Sequence, residues 1–162
     1  MELWDAYNRD FKKIQGITLI RGEAIPEGFF HLVCDVIVRR SNGSYLIMQR
    51  DKRKHLGGMW EATAGGSALQ GEDALTCARR ELHEETGIIS SDNLIEIGRV
   101  IHYGHQSLYV DYLCVTDIDE NDIVLQEGET ADYKWITADE LRKMSRDELA
   151  TQRILTFIEE LN

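Results

Sequence analysis

The sequence predicts an α/β domain, and three features carry that expectation. Two runs rich in β-branched residues, Phe30 to Arg39 and Tyr45 to Arg50, are separated by Ser41-Asn42-Gly43-Ser44. Asn-Gly between such runs is the strongest short hairpin signal. From about Asp73 to Thr86 the apolar residues Ala74, Leu75, Ala78 and Leu82 recur every three or four positions, which marks one buried face of a helix. Near the C-terminus Leu149, Ile154, Leu155, Ile158 and Leu161 form a second helical stripe. A chain of 162 residues fits one domain with a workable core. It holds no internal repeat and no low-complexity linker, so residues 1–162 read as a single domain, with 1–25 as an N-terminal hairpin extension.

The elements follow in order. Leu3, Trp4 and Tyr7 anchor the first arm of the hairpin, Asn8-Arg9-Asp10 turns the chain, and Ile14 to Ile20 forms the second arm. Pro26 and Gly28 mark a loop before the first long strand. After the second, Asp51-Lys52-Arg53-Lys54-His55 is a basic cluster in an acidic protein. It reads either as a solvated loop or as phosphate counter-charges, with Arg50 and Lys54 as the contributors. A short strand through Trp60-Glu61 ends at Gly65, and Trp60 is either core or a wall of a substrate pocket. Beyond the helix, Leu94 to Tyr103 and Ser107 to Asp117 read as strands joined by a turn around Gly104. His102, His105 and Tyr109 stand where they can line a pocket, although histidines in a sheet are usually structural. Tyr133 to Ile136 reads as a further strand after Gln126-Glu127-Gly128-Glu129. Thr137 to Glu140 and Ser145 to Glu148 both match the capping-box pattern and are expected to start a short helix and the C-terminal one.

The stretch from Gly66 to Ile88 organises the rest. Glycines 65, 66 and 71 mark a loop, Glu72 and Asp73 sit at the positive end of the helix, and Gly87 stands where a left-handed cap is wanted. On the helix Glu81, Glu84 and Glu85 are spaced i, i+3 and i+4, so they project from adjacent turns of one face. Three carboxylates this close repel one another. They are stable on a solvated face or around a hard divalent cation with oxygen ligands, whose coordination a diphosphate would complete. Such an ion polarises a phosphoryl oxygen and helps deprotonate an attacking water.

Composition narrows the partners. The net charge of −11 opposes a general nucleic-acid or anionic-membrane binder, since both need basic surface. The longest apolar run, Phe29 to Val38, is interrupted by His31 and Asp35 and is too short to span a bilayer. Cys34, Cys77 and Cys114 lack ligand-like spacing and read as core thiols of a reducing compartment, and the charged first residues lack a signal-peptide pattern. The expectation is a cytoplasmic protein with no nucleic-acid polymer or membrane as partner.

Nine specified positions, Gly66, Glu72, Arg80-Glu81-Leu82, Glu84-Glu85 and Gly87-Ile88, fall within a 23-residue window. In that spacing the chain resembles the Nudix hydrolases. The resemblance implies an α/β/α sandwich with a mixed β-sheet and an Mg²⁺- or Mn²⁺-dependent hydrolase of a diphosphate linkage in a nucleoside-diphosphate derivative or similar small molecule. It implies that Glu81, Glu84, Glu85, Gly65 and Glu129 hold the metal, with Glu127 as the alternative to Glu129, and that one glutamate doubles as general base. Glu72 and Arg80 are expected to form a supporting salt bridge. Arg50, Lys54, Trp60 and Gly66 are expected at the substrate. A homodimer rests on the family resemblance alone. The chain also resembles isopentenyl diphosphate isomerase in Trp4-Asp5, Arg21-Gly22-Glu23, His31, Gly58-Met59-Trp60 and Glu127-Gly128-Glu129. Gly65 and Ser67 stand where that enzyme carries its cysteine proton donor and a metal-binding histidine, so the isomerase is the second reading. A non-catalytic ligand-binding module is the third.

Overall fold

The computed structural model describes residues 1–90 and 94–161. A separate two-stranded hairpin, β1 (Leu3–Tyr7) against β2 (Lys13–Ile20), precedes the main sheet. Trp4, Ala6 and Leu19 bury a small core of their own beneath it.

Among the described residues seven strands form one mixed sheet. At its centre β3 (His31–Arg39) runs parallel to β8 (Ser107–Val115), from His31 opposite Ser107 to Arg39 opposite Val115. On its other side β3 meets β4 (Tyr45–Arg50) through Arg39 and Tyr45, and antiparallel β6 (Ala64–Ser67) from Val33 to Val36. The strand expected to run from Trp60 to Gly65 is thus two pieces. β5 (Trp60–Glu61) pairs with β4, and the chain then crosses so that β6 pairs with β3. β7 (Leu94–His102) lies along the far side of β8, and β9 (Thr130–Ile136) pairs with β4.

Strand alternation divides the core in two. Leu32, Cys34, Val36 and Val38 of β3 face one side, with Cys77, Ala78 and Leu82 of α1 (Ala74–Thr86). Ile37 joins Tyr45, Ile47 and Leu113 on the other, under α2 (Ala138–Lys143) and α3 (Ile154–Leu161). That is the expected α/β/α sandwich. The same alternation puts Val33 and Asp35 on the second face. The three thiols are free and buried. Among the described residues no helix is long and apolar enough to cross a membrane.

Helix α1 begins and ends where the sequence directs. Asp73 is its N-cap, accepting from the Thr76 N–H, which stabilises such a helix by about 1 kcal/mol. Gly87 closes it at φ 75° with its N–H on the His83 carbonyl. Thr137 and Glu140 make the full capping box of α2.

The second box does not start a helix. Ser145 N–H does donate to Glu148, yet α3 begins only at Ile154. The backbone between them is diverted to Trp60, whose N–H donates to the Glu148 carbonyl and whose carbonyl accepts from Ala150. A strand-like contact with the sheet edge wins there, because it satisfies backbone groups of both segments and buries Leu149.

Candidate active site

The site is built around two bare residues on β6. An added Cβ at Gly65 would lie 2.2 Å from Asp35 Oδ1 and 2.3 Å from the Cys34 carbonyl oxygen. One at Gly66 would lie 2.5 Å from Glu81 Oε1. The missing side chains therefore let carboxylates from β3 and α1 lie directly against the β6 backbone. Gly65→Ala is expected to lower stability by about 1–3 kcal/mol, since the clash is partly with backbone that cannot turn aside. A thermal melt checks it. The same shift would pull the Gly65 N–H away from Glu85 Oε2, to which it donates at 3.2 Å.

Helix α1 presents Glu81 and Glu85 toward this strand with Glu84 at the cleft's rim, and Arg80 organises Glu81 and Glu84. Its guanidinium forms a bidentate pair with Glu72, at 2.7 and 2.9 Å, which is the expected supporting bridge. The same group also reaches Glu81 at 2.6 Å, Glu84 at 3.2 Å and the Ser67 carbonyl at 3.1 Å. Across the cleft Lys54 is ion-paired with Glu129, and Asp51 N–H donates to the Glu129 carbonyl. Glu129 lines the cleft, whereas Glu127 is exposed outside it.

Two cavities meet at the glycines. One, of about 350 Å³, runs over Arg80, Glu81, Glu84, Glu129 and the open end of the hairpin at Glu2 and Arg21. The other, of about 420 Å³, lies over Val33, Asp35, Val100, His102, His105, Tyr109 and Arg153. Lys54, Gly65, Gly66 and Glu85 border both. Together they form a cleft for a molecule whose middle crosses the glycine strand.

Charge is concentrated where the cavities join. Burial pushes the Glu85 carboxyl up to about 8, and the neighbouring Glu81 and Glu61 push the same way. Burial also raises Glu81, against the pull of Arg80. Asp35 rises to about 7 through burial, with Arg153 opposing and Asp111 adding to it. A hard cation is the natural partner for such crowded carboxylates, and the donors around Gly65 and Gly66 are all oxygens. The donor chemistry fits a divalent metal. Among the described residues no three His, Cys, Asp or Glu side chains already converge as a cage. Arg80 and Lys54 hold Glu81, Glu84 and Glu129 instead, so metal binding would exchange those cations for the ion.

The other sequence-predicted residues divide. Arg50 borders the larger cavity but is ion-paired with Glu61 and donates to the His55 carbonyl at 2.8 Å. Trp60 lines neither cavity. Its ring packs in the second core beneath the Lys134 ammonium, 4.4 Å from the ring centre. His102, His105 and Tyr109 do line the larger cavity, the two imidazoles stacked with centres 4.2 Å apart. His31 is buried against Trp4 and bonded to Ser107 at 2.7 Å, and burial depresses it to about 4.

Sequence reasoning missed the buried ion group at the back of the larger cavity. Arg153, just before α3, donates to Asp35 and to Asp111, each at 2.6 Å, with its guanidinium over the Tyr109 ring. A signal existed for the two aspartates, since each interrupts an apolar strand. None existed for Arg153.

Comparison with known proteins follows the same lines. Residues 29–157 match the NUDIX domain. An uncharacterized Nudix hydrolase of Listeria monocytogenes is 36% identical over 146 residues, covering 89% of this chain and 85% of the relative. Isopentenyl-diphosphate Delta-isomerase of Rhodobacter capsulatus is 39% identical over only 67 residues, 41% of this chain and 38% of that enzyme. A Deinococcus radiodurans protein of known crystal structure superposes with a TM-score of 0.76 at 18% identity, over 98% of each chain.

Proposed function

The chain belongs to the Nudix hydrolase family, and from that premise we propose that it hydrolyses a diphosphate linkage in a nucleoside-diphosphate derivative or similar small molecule, with Mg²⁺ or Mn²⁺ as cofactor. One observation carries this reading: Glu81, Glu84, Glu85 and Glu129 border a cleft whose centre is the bare Gly65–Gly66 strand.

In this reading Glu81, Glu84, Glu85, Glu129 and the Gly65 carbonyl would hold the ion. Once bound, a divalent cation supplies charge neutralisation and Lewis acidity at the phosphoryl group. The protein's own residues do the rest. Gly65 and Gly66 let the diphosphate approach the backbone without a side chain in the way. Lys54, on the border of both cavities, is released from Glu129 to meet phosphate oxygens. Glu85 is the carboxylate we assign to accept the proton of the attacking water, because it borders both cavities where they meet at the glycine strand and is oriented there by the Gly65 N–H. Water adds to one phosphorus, the bridging P–O bond breaks, and the other phosphoryl group departs with that oxygen.

Isomerisation of a prenyl diphosphate is the second reading, favoured only by the partial match to the Rhodobacter enzyme. It lacks the cysteine acid that the resemblance calls for: all three thiols are buried in the core and Gly65 has no side chain. Release of phosphomonoester products or of inorganic phosphate from a panel of diphosphate compounds, with Mg²⁺ and again with chelator, tests the assignment. Chelator-sensitive release is expected. Silence across the panel, with isopentenyl diphosphate consumed and its isomer formed, would replace hydrolysis by isomerisation.

A further inference from the structure

We propose that Arg21, at the open end of the N-terminal hairpin, binds the terminal phosphoryl group of the substrate, so that the cleft selects diphosphates carrying one organic group over those capped at both ends. The inference rests on the hydrolase reading and narrows its substrate class.

The hairpin lies outside residues 29–157, yet it forms a wall of the smaller cavity. It is fixed to the loop that enters α1. Gln70 N–H donates to the Leu3 carbonyl at 2.8 Å, Gly71 N–H to Asp5 at 2.8 Å, and the Gln70 amide to Thr18 at 2.9 Å. Trp4 stacks on His31 with ring centres 4.3 Å apart, which locks the first arm to β3. These contacts make the hairpin end a built part of the cleft.

At that end Arg21 is the cation with capacity left. Arg80 keeps its bidentate pair with Glu72, and Lys54 stands where the two cavities join rather than at the hairpin end. Among the described residues the Arg21 guanidinium makes a single bond, from Nη1 to Glu2 at 2.9 Å, and its side chain is 66% exposed. Glu2 is itself held by the Trp4 indole N–H at 2.7 Å, so the guanidinium is oriented rather than loose. The fork has donors remaining that match phosphate oxygens.

The two cavities differ in what they can hold. The larger offers Val33, Val100, Tyr109 and the stacked histidines, surfaces suited to an organic group. The smaller is lined almost wholly by charged and polar groups. Among the described residues Leu69 is its one aliphatic side chain, and no aromatic ring reaches it. A second nucleoside or sugar would find nothing there to stack on. A terminal phosphoryl group, carrying more negative charge than an internal one, would find Arg21.

The test compares a nucleoside diphosphate with the matching nucleoside-diphosphate sugar for the wild type, Arg21→Ala, Arg21→Lys and Glu2→Gln. Calorimetric binding of methylenediphosphonate with Mg²⁺ gives a readout independent of turnover. Wild type is expected to favour the nucleoside diphosphate in kcat/KM by about tenfold or more, the scale of one charge-assisted hydrogen bond. Arg21→Ala should raise KM for it and weaken methylenediphosphonate binding by a similar factor, with an unchanged melting temperature. Lysine should recover part, and Glu2→Gln, which weakens the anchor that orients the guanidinium, should raise KM less than Arg21→Ala does. Unchanged KM and affinity in Arg21→Ala, whether or not the melting temperature falls, would overturn the proposal and leave Arg21 as a tether for Glu2. So would a wild type that favours the sugar. A wild type that neither hydrolyses nor binds any of these compounds would overturn the hydrolase reading first, and this one with it.

Discussion

Glu85→Gln is expected to lower kcat by about a thousandfold or more, because several kcal/mol of transition-state stabilisation are lost with one anionic oxygen at the metal and the attacking water. The same change is expected to make the metal-free protein more stable. Glu85 is pushed up to about 8 by burial and by the charges of Glu81 and Glu61. A carboxyl raised above its unfolded value is most stabilising when protonated, below the unfolded pKa, and that contribution is lost as pH rises toward about 8. Glutamine is neutral at every pH and escapes the loss. In chelator, the melting temperature of Glu85→Gln should therefore exceed that of wild type by an amount that grows from pH 5 to pH 8. Glu84→Gln is expected to cost similar activity without that gain, since Glu84 lies exposed on the helix surface. Melts across pH, paired with phosphate release at saturating Mg²⁺, separate the two carboxylates. A Glu85→Gln enzyme with full turnover would remove Glu85 from the site.

Arg153→Met is expected to destabilise the fold by about 3–5 kcal/mol, the cost of breaking a buried ion group from one side. Asp35 and Asp111 are register partners on adjacent parallel strands, and both accept from Arg153. Without the guanidinium two carboxylates are left side by side on adjacent strands at the back of the larger cavity. Asp111 is fully buried, and its second oxygen already has no hydrogen-bond partner among the described residues. For a domain of this size the deficit corresponds to roughly 6–20 °C in melting temperature. Both aspartates are raised by burial, so protonation relieves the mutant and the deficit should shrink as pH falls. Asp35→Asn/Asp111→Asn in the Arg153→Met background should recover much of the loss. Thermal melts at pH 5 and pH 8 check both statements. Activity should suffer too, because Asp35 packs against Gly65 and so helps fix the strand at the centre of the cleft.

These two expectations differ in how they could be foreseen. Glu85 was legible in the chain: the i, i+3, i+4 spacing of Glu81, Glu84 and Glu85 puts them on one helical face regardless of what surrounds the helix. The caps at Asp73 and Gly87 and the capping box at Thr137 were legible for the same reason, since each rests on groups a few residues apart, whereas the Asn42-Gly43 turn joins β3 to β4 at the Arg39–Tyr45 pair and β4 runs on along β5 and β9 instead. The Ser145 box shows the limit. Its local signal is present and partly made, yet the backbone is claimed by Trp60, a residue far away in sequence.

The sequence by itself thus determined most of the elements, the acidic helix face and the glycine loop before it, because turns, caps and helical spacing act over one or two turns of chain. Only the tertiary structure decided which charges meet. It paired Arg80 with Glu81 and Glu84 as well as Glu72, chose Glu129 over Glu127 for the cleft, and took Trp60 out of it. It also joined Arg153 to Asp35 across 118 positions and brought Arg21 to the rim. Contacts between elements depend on strand order and on which face each residue presents, and neither is written in the spacing of any one segment.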